Sequence, residues 1–297
     1  LGAETYWREG FERLREATRE AGVPLICIPG DTHWDERFAD MGSVAIDRAR
    51  RLWRYFAEGG PDNIAAALSF LDHAIGQADE PPPPLAMAAA GVLSRSVAIE
   101  PDRPIVPILF YRALAQSGAT EPVEMLASAL VARGLAPLPI FLTSLKDPQA
   151  LAVLHAELTA HAPDAIINAT AFASAAPGAG ADGGPLAHYD CPVLQIAFAG
   201  STQAEWTASP RGFAPRDLAM NVVMPEIDGR IAAGVAAFKA AMKGAAPAAT
   251  VAHAEGIECA ADLALAWSRL RRCASSERRI AIILANYPNR DGRIGNG

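Results

Sequence analysis

Asp190-Cys-Pro-Val-Leu-Gln-Ile-Ala-Phe-Ala-Gly-Ser-Thr202 leads through a polar loop, with Trp206, Arg211 and Arg216, to Met220-Asn-Val-Val-Met-Pro-Glu-Ile-Asp-Gly229. The reading of this stretch decides the fold. Residues 193–198 are a short apolar run with Pro192 before it and Gly200 after it, the pattern of a buried strand. Residues 219–224 read as a second strand, closed by Pro225. Glu226 and Asp228 then fall on a tight loop ending at Gly229, ahead of an Ala-rich segment, 229–242, read as a helix. In an open α/β sheet, ligands bind just beyond the carboxyl ends of the strands.

The same alternation extends outward in both directions. Short apolar runs at 105–110, 138–142 and 165–169 read as strands, and 122–132, 149–160 and 261–271 as helices, with a last strand at 279–285. Upstream, 4–21, 43–58 and 63–75 have helical period, and 23–28 reads as a buried strand. Four consecutive prolines, Pro81 to Pro84, force extended chain. The expected class is α/β: Rossmann-like or flavodoxin-like modules, with mostly parallel sheets flanked by helices. The expected division is a partial N-terminal α/β domain over 1–102, an α/β domain over 103–275, and the first strand and loop of a further, truncated domain over 276–297. A first residue Leu1 rather than Met, and a terminal strand and loop without a following helix, suggest a piece of a longer chain.

Composition excludes several classes. With 26 Lys+Arg against 33 Asp+Glu the net charge is −7, so a general nucleic-acid binder with a basic footprint is not expected. No apolar run is long enough for a membrane span. Cys27, Cys191, Cys259 and Cys273 form no C-x-x-C pair, and no secretory signal is present, which points to a reducing, cytoplasmic setting. There is no P-loop and no G-x-S-x-G elbow around Ser201. Gly178-Ala-Gly-Ala-Asp-Gly183 matches G-x-G-x-x-G but lacks a strand directly before it and a helix after it, so it reads as a surface loop. His33-Trp-Asp-Glu36 and His188-Tyr-Asp-Cys191 lack metal-site spacing and read as solvated loops, so no metal ligand is assigned.

Polar residues line up at the ends of the expected strands. They are Tyr111 and Arg112; Thr143, Ser144 and Lys146; Asn168 and Thr170; Gly200, Ser201 and Thr202; Glu226 and Asp228; and Tyr287, Asn289 and Arg290. Glu226 and Asp228 are the acid–base candidates, since two carboxylates on one turn can accept protons or hold a divalent cation. Capping the positive end of a following helix is the competing explanation, above all for Asp228.

Several blocks carry a family resemblance. Tyr189-Asp-Cys-Pro-Val-Leu-Gln-Ile196, Ser209-Pro-Arg-Gly-Phe-Ala-Pro-Arg-Asp-Leu-Ala-Met-Asn-Val222, Pro225-Glu-Ile-Asp-Gly-Arg-Ile231, and the block from Ile280 to Gly297 containing Asn286-Tyr-Pro-Asn-Arg-Asp-Gly-Arg293 resemble the large subunits of aerobic cobaltochelatases (CobN). Ile28-Pro-Gly-Asp31 and Ile108-Leu-Phe-Tyr-Arg112 fit the same pattern. The large subunit of magnesium chelatase is related to this family. The resemblance implies insertion of Co²⁺, as substrate, into hydrogenobyrinic acid a,c-diamide during aerobic cobalamin biosynthesis. It implies ATP and Mg²⁺ on partner subunits, an AAA+ ATPase and a second small subunit, and a chain that is inactive alone as an N-terminal portion of the large one. A flat macrocycle fringed by carboxylates wants an apolar slot with cationic and amide groups at its rim. Tyr111, Arg112, Arg211, Arg216, Tyr287, Asn289 and Arg290 are the substrate-binding candidates on that footing. Glu226, with Asp228, is the candidate for taking ring protons or relaying the metal. The alternatives are the magnesium chelatase large subunit and a non-catalytic α/β small-molecule-binding module.

Overall fold

The structure, a computed structural model, describes residues 7–30, 33–38, 41–77, 79–93, 102–175, 184–241 and 249–283. Three helices come first: α1 (Arg8–Glu20), α2 (Ile46–Glu58) and α3 (Pro61–Ala74). Leu52, Tyr55, Ala67 and Phe70 form the small core between α2 and α3. The polyproline stretch runs beside them in extended form, held by Tyr55, whose hydroxyl donates to the Pro82 carbonyl.

The main layer is one sheet. Its strands are β1 (Ala90–Val92), β2 (Ile105–Tyr111), β3 (Ala136–Leu142), β4 (Ile166–Asn168), β5 (Val193–Phe198), β6 (Ile231–Lys239) and β7 (Thr250–Ala252). Their spatial order is β1-β3-β2-β4-β5-β6-β7. The five inner strands are parallel, and the edge strands β1 and β7 are antiparallel to their neighbours. Counting only the parallel strands, the order is second, first, third, fourth, fifth, which is the flavodoxin arrangement. Its switch point lies between β2 and β4.

Alternation along β2 divides the core into two layers. Val106, Ile108 and Phe110 pack with Val123, Leu126 and Leu130 of α5 (Glu121–Ala132) on one face. Leu109 packs on the other face with Leu154 and Leu158 of α6 (Pro148–Ala160). A short helix, α4 (Arg112–Ser117), follows β2 directly. It carries the N-terminal helices: the Gly60 amide donates to the Gln116 carbonyl at 2.6 Å, and Gln116 Nε2 donates to the carbonyls of Ala57 and Glu58, each at 3.1 Å.

After β5 come α7 (Gln203–Ala208) and a continuous helical run, made of α8 (Pro215–Leu218), a π turn (Ala219–Val223) and α9 (Met224–Ile227). The expected strand at 219–224 is therefore helical. Its apolar residues do not alternate between faces; instead Asp217, Asn221 and Pro225, at helical spacing, are the buried ones. Pro225 has no N–H for an ordinary helical turn, and the π turn just before it absorbs that loss.

The expected helix at 229–242 is strand β6. Alanine favours helices intrinsically, but here small side chains serve a close approach. Ala260, Ala261 and Ala264 of α10 (Ala254–Arg272) are fully buried in the same cluster as Ala236. Gly256 sits so near β6 that an added Cβ would lie 1.7 Å from the Val235 carbonyl oxygen. Two further expectations fail: residues 23–28 are not a strand, and 279–283 have no regular structure, with Ile280, Ile282 and Ile283 exposed. Residues 284 and 285 lie outside the described residues.

Replacing Gly256 with Ala therefore overpacks backbone against backbone. Urea unfolding is expected to show a loss of about 3 kcal/mol. A loss below about 0.5 kcal/mol in that measurement contradicts the close approach of α10 to β6.

Candidate functional site

A cleft of about 1040 Å³ opens at the carboxyl ends of β2, β4, β5 and β6. Ala169, Ala171, Phe198, Ala199, Leu114 and Met220 supply apolar lining. Tyr111, Arg112, Arg216 and Lys239 supply polar and cationic groups. The switch point thus positions the cleft, because the chain leaves β2 and β4 toward opposite sides and parts between them.

Each polar group in the wall has a distinct footing. The Tyr111 hydroxyl donates to the Ala171 carbonyl at 3.1 Å, and burial pushes the phenol up, with Arg230 pulling the other way. Arg112 Nη2 donates to the Met87 carbonyl at 2.9 Å and lies 3.5 Å from Glu58 Oε2. Its Nε is buried without a partner among the described residues, as is Ser201 Oγ on the opposite wall. Arg216 is exposed, with Nε 3.4 Å from Met220 Sδ. Arg211 is also exposed, beside the cleft residue Gly212. The two carboxylates of the cleft are committed to backbone. Asp217 accepts the Gly200 amide at 2.9 Å, and Glu205 closes a capping box with Thr202 at the start of α7.

Glu226 and Asp228 stand at the opposite edge of the sheet. They precede β6 instead of following a strand, and line a second cavity of about 690 Å³ with Val193 and Ile231 at the amino ends of β5 and β6. From Asp217 to Glu226 the helical run spans about 14 Å at 1.5 Å per residue. Glu226 is exposed, and its carboxylate meets no hydrogen-bond partner among the described residues. Asp228 differs in every respect. Its carboxylate accepts the Ser174 amide and hydroxyl, each at 2.7 Å, the Ala175 amide at 3.0 Å and Arg230 Nη2 at 2.7 Å. Burial alone would raise this carboxyl, but the Ser174 and Ala175 hydrogen bonds and the Arg230 charge hold it below its ordinary range.

Arg230 continues the network inward. Its Nη1 donates to Gln195 Oε1 at 3.0 Å, Gln195 also accepts from Asn168 Nδ2 at 2.8 Å, and Asn168 Oδ1 accepts from the Thr170 hydroxyl at 2.9 Å. Desolvation lowers the Arg230 guanidinium, and Asp228 offsets this. These contacts fix the segment after β4, where Phe172 has a positive φ of 69°. For a residue other than Gly that conformation costs roughly 1–2 kcal/mol.

Of the strand-end residues expected from sequence, Tyr111, Arg112 and Arg216 meet in the cleft and Arg211 flanks it, while Glu226 and Asp228 lie elsewhere. Thr143 also lines the cleft; Ser144 and Lys146 line a small recess beside it. Tyr287, Asn289 and Arg290 lie outside the described residues, as does the whole Gly178–Gly183 motif. Lys239 and Asp217 were missed, because reading β6 as a helix hid Lys239 at a strand's carboxyl end. Among the described residues no three His, Cys, Asp or Glu side chains group as a metal site, and no helix is long and apolar enough to cross a membrane. All four cysteines are free; burial raises the Cys191 thiol to about 11, against the pull of Arg271.

Fold and cleft together define a parallel α/β layer with an open cleft at its switch point. The chain belongs to the CobN/Magnesium Chelatase family, whose model matches residues 53–297. It is 42% identical to an aerobic cobaltochelatase subunit CobN from a Sinorhizobium species, over 100% of this chain and 25% of that relative. It is 36% identical to the CobN subunit of Pseudomonas aeruginosa, with the same coverage. The solved structure of the catalytic subunit of cobaltochelatase from Mycobacterium tuberculosis is similar along the whole chain, with a TM-score of 0.82 and 30% identity, and the match spans 25% of that protein. The chain spans about a quarter of the length of these relatives.

Asp228→Ala leaves Arg230 buried without its counter-ion and is expected to destabilise the fold by about 3–5 kcal/mol in denaturant unfolding. Because the folded carboxyl lies below the ordinary carboxyl value of 3.8, the wild type keeps this contribution above that pH and loses it as pH falls further. The Asp228→Ala variant should lack that acid-dependent loss; an unaltered acid limb would remove Asp228 from the network's energetics.

Proposed function

We propose that this chain provides the macrocycle-binding cleft of a cobaltochelatase large subunit, which inserts Co²⁺ into hydrogenobyrinic acid a,c-diamide with ATP hydrolysis on partner subunits. The observation that carries this reading is the cleft itself, lined by apolar residues together with Arg112, Arg216 and Lys239, in a chain 42% identical throughout to a CobN subunit. A flat ring with peripheral carboxylates matches that distribution: its faces favour Ala171, Phe198 and Met220, and its carboxylates favour Arg112, Arg216 and Lys239. Cobalt is preferred to magnesium because both sequence relatives described above are named as cobaltochelatase subunits.

Cobalt enters only as ring N–H protons leave, so a base is required. The carboxylates within the cleft are already occupied, and Asp228 is a buried ion-pair partner. Glu226, exposed and without a hydrogen-bond partner among the described residues, stands at the amino ends of β5 and β6 and not in the cleft, so the role proposed for it is to relay metal or protons rather than to touch a ring held there. An AAA+ ATPase subunit and a second small subunit are the partners this reading requires.

Two titrations test it in the intact polypeptide that carries this chain. Hydrogenobyrinic acid a,c-diamide, followed by absorbance, should bind, and Arg216→Glu should weaken it by about tenfold, with a shallower salt dependence. Preferential binding of the metal-free porphyrin substrate of magnesium chelatase would overturn the cobalt assignment. With the partner subunits and ATP present, Glu226→Gln should leave ring binding intact and stop insertion. Insertion at the wild-type rate would take Glu226 out of the reaction.

A further inference from the structure

Phe172 is the part of this edge that cationic recognition leaves unexplained. It follows β4 at the switch point, keeps a left-handed backbone with φ of 69°, and is 45% exposed. Turns of this shape ordinarily employ Gly or Asn, and a bulky aromatic there is an outlier that persists only where its surroundings over-determine it. They do so here. The Phe172 amide donates to the Met220 carbonyl at 2.9 Å, and the preceding carbonyl, of Ala171, accepts the Tyr111 hydroxyl at 3.1 Å. Two and three residues further on, Ser174 and Ala175 are held by buried Asp228. Hydrogen bonds to the backbone thus hold the turn at Phe172, and they leave an aromatic residue 45% exposed there.

Its position is specific. Ala171 and Met220, which touch its backbone, both line the wide cleft. Phe172 itself lines a recess of about 110 Å³ together with Tyr111, Ser144 and Lys146. Tyr111 and Ala171 belong to both cavities, so Phe172 stands where the two meet. Lys146 is exposed beside it. An aromatic residue and a lysine lining one recess match a flat conjugated ring bearing peripheral carboxylates: the ring stacks and a carboxylate meets the cation.

We propose that Phe172 is a stacking residue for the macrocycle, and that Lys146 receives one of the carboxylates at the ring's edge. The inference rests on the reading of the cleft as a tetrapyrrole site and adds the residue that holds the ring's face. Strain at Phe172 is then retained because Gly, the easier residue, would bind nothing.

The experiment uses the intact polypeptide with hydrogenobyrinic acid a,c-diamide as probe, followed by absorbance, on wild type, Phe172→Gly and Phe172→Trp. Phe172→Gly should bind about tenfold more weakly, the loss of one aromatic contact, yet melt at the same or a higher temperature because Gly is at ease at positive φ. Phe172→Trp should keep wild-type affinity and gain fluorescence that the bound macrocycle quenches, read as the difference from the wild-type protein. Wild-type affinity in Phe172→Gly, with Trp at position 172 unquenched, overturns the stacking assignment and leaves the cleft reading standing. Weaker binding accompanied by a lowered melting temperature also overturns it, since the ring would then be structural. Failure of the wild type to bind the probe removes the cleft reading and this inference together.

Discussion

Much of the binding edge depends on one buried cation. The Arg230 side chain is 2% exposed, and its hydrogen bonds reach the Thr170 carbonyl, Ser174, Gln195 and Asp228. An isolated guanidinium at such depth would be prohibitively costly, so each of those partners is obligatory. They come from β5, the segment after β4 and the turn before β6. The network therefore sets where the chain goes after β4, and that segment forms part of the cleft wall. Arg230 and Ser174 also line the small recess shared by Tyr111, Phe172 and Lys146, so the network reaches the groups proposed to meet a ligand.

The parallel layer was legible where sequence and environment agree. Ile105–Tyr111, Ala136–Leu142 and Val193–Phe198 are buried runs of branched and aromatic residues with breakers nearby, and the strands read there are present. The reading inverted between Ala219 and Lys239, and for one reason. Local propensity assigns valine to strands and alanine to helices, whereas burial decided both here. Ala232 to Ala237 form a strand because α10 lies almost against its backbone, and only small side chains fit. Ala219–Val223 is helical because the residues that must face inward are Asp217, Asn221 and Pro225, spaced for a helix.

That inversion also governed how the site was read. With the two elements exchanged, Glu226 and Asp228 fell at a carboxyl end among the cationic groups, and Lys239 disappeared into a helix. Restoring them moves the acids to the amino end of β6 and brings Lys239 to the rim. Tyr111, Arg112 and Arg216 were correctly placed because the elements that position them were correctly read, or, for Arg216, because the loop before Pro215 ends at the cleft either way.

The helical run from Pro215 to Ile227 has its polarity reversed relative to an ordinary surface helix. Asp217 and Asn221 face inward, and Leu218, Val223, Met224 and Ile227 are exposed. The inward face is polar because it lies across the end of a parallel sheet, where amides left without strand partners need acceptors. Asp217 takes the Gly200 amide, and Asn221 Nδ2 donates to the Asp217 carbonyl. The same run begins in the cleft wall and ends at the turn that holds Asp228. A ligand displacing Arg216 or Met220 would consequently load one end of a rod whose other end is tied to Arg230 through Asp228. Glu226 rides on that rod, so the buried Asp228–Arg230 pair at its far end fixes where Glu226 stands relative to the sheet.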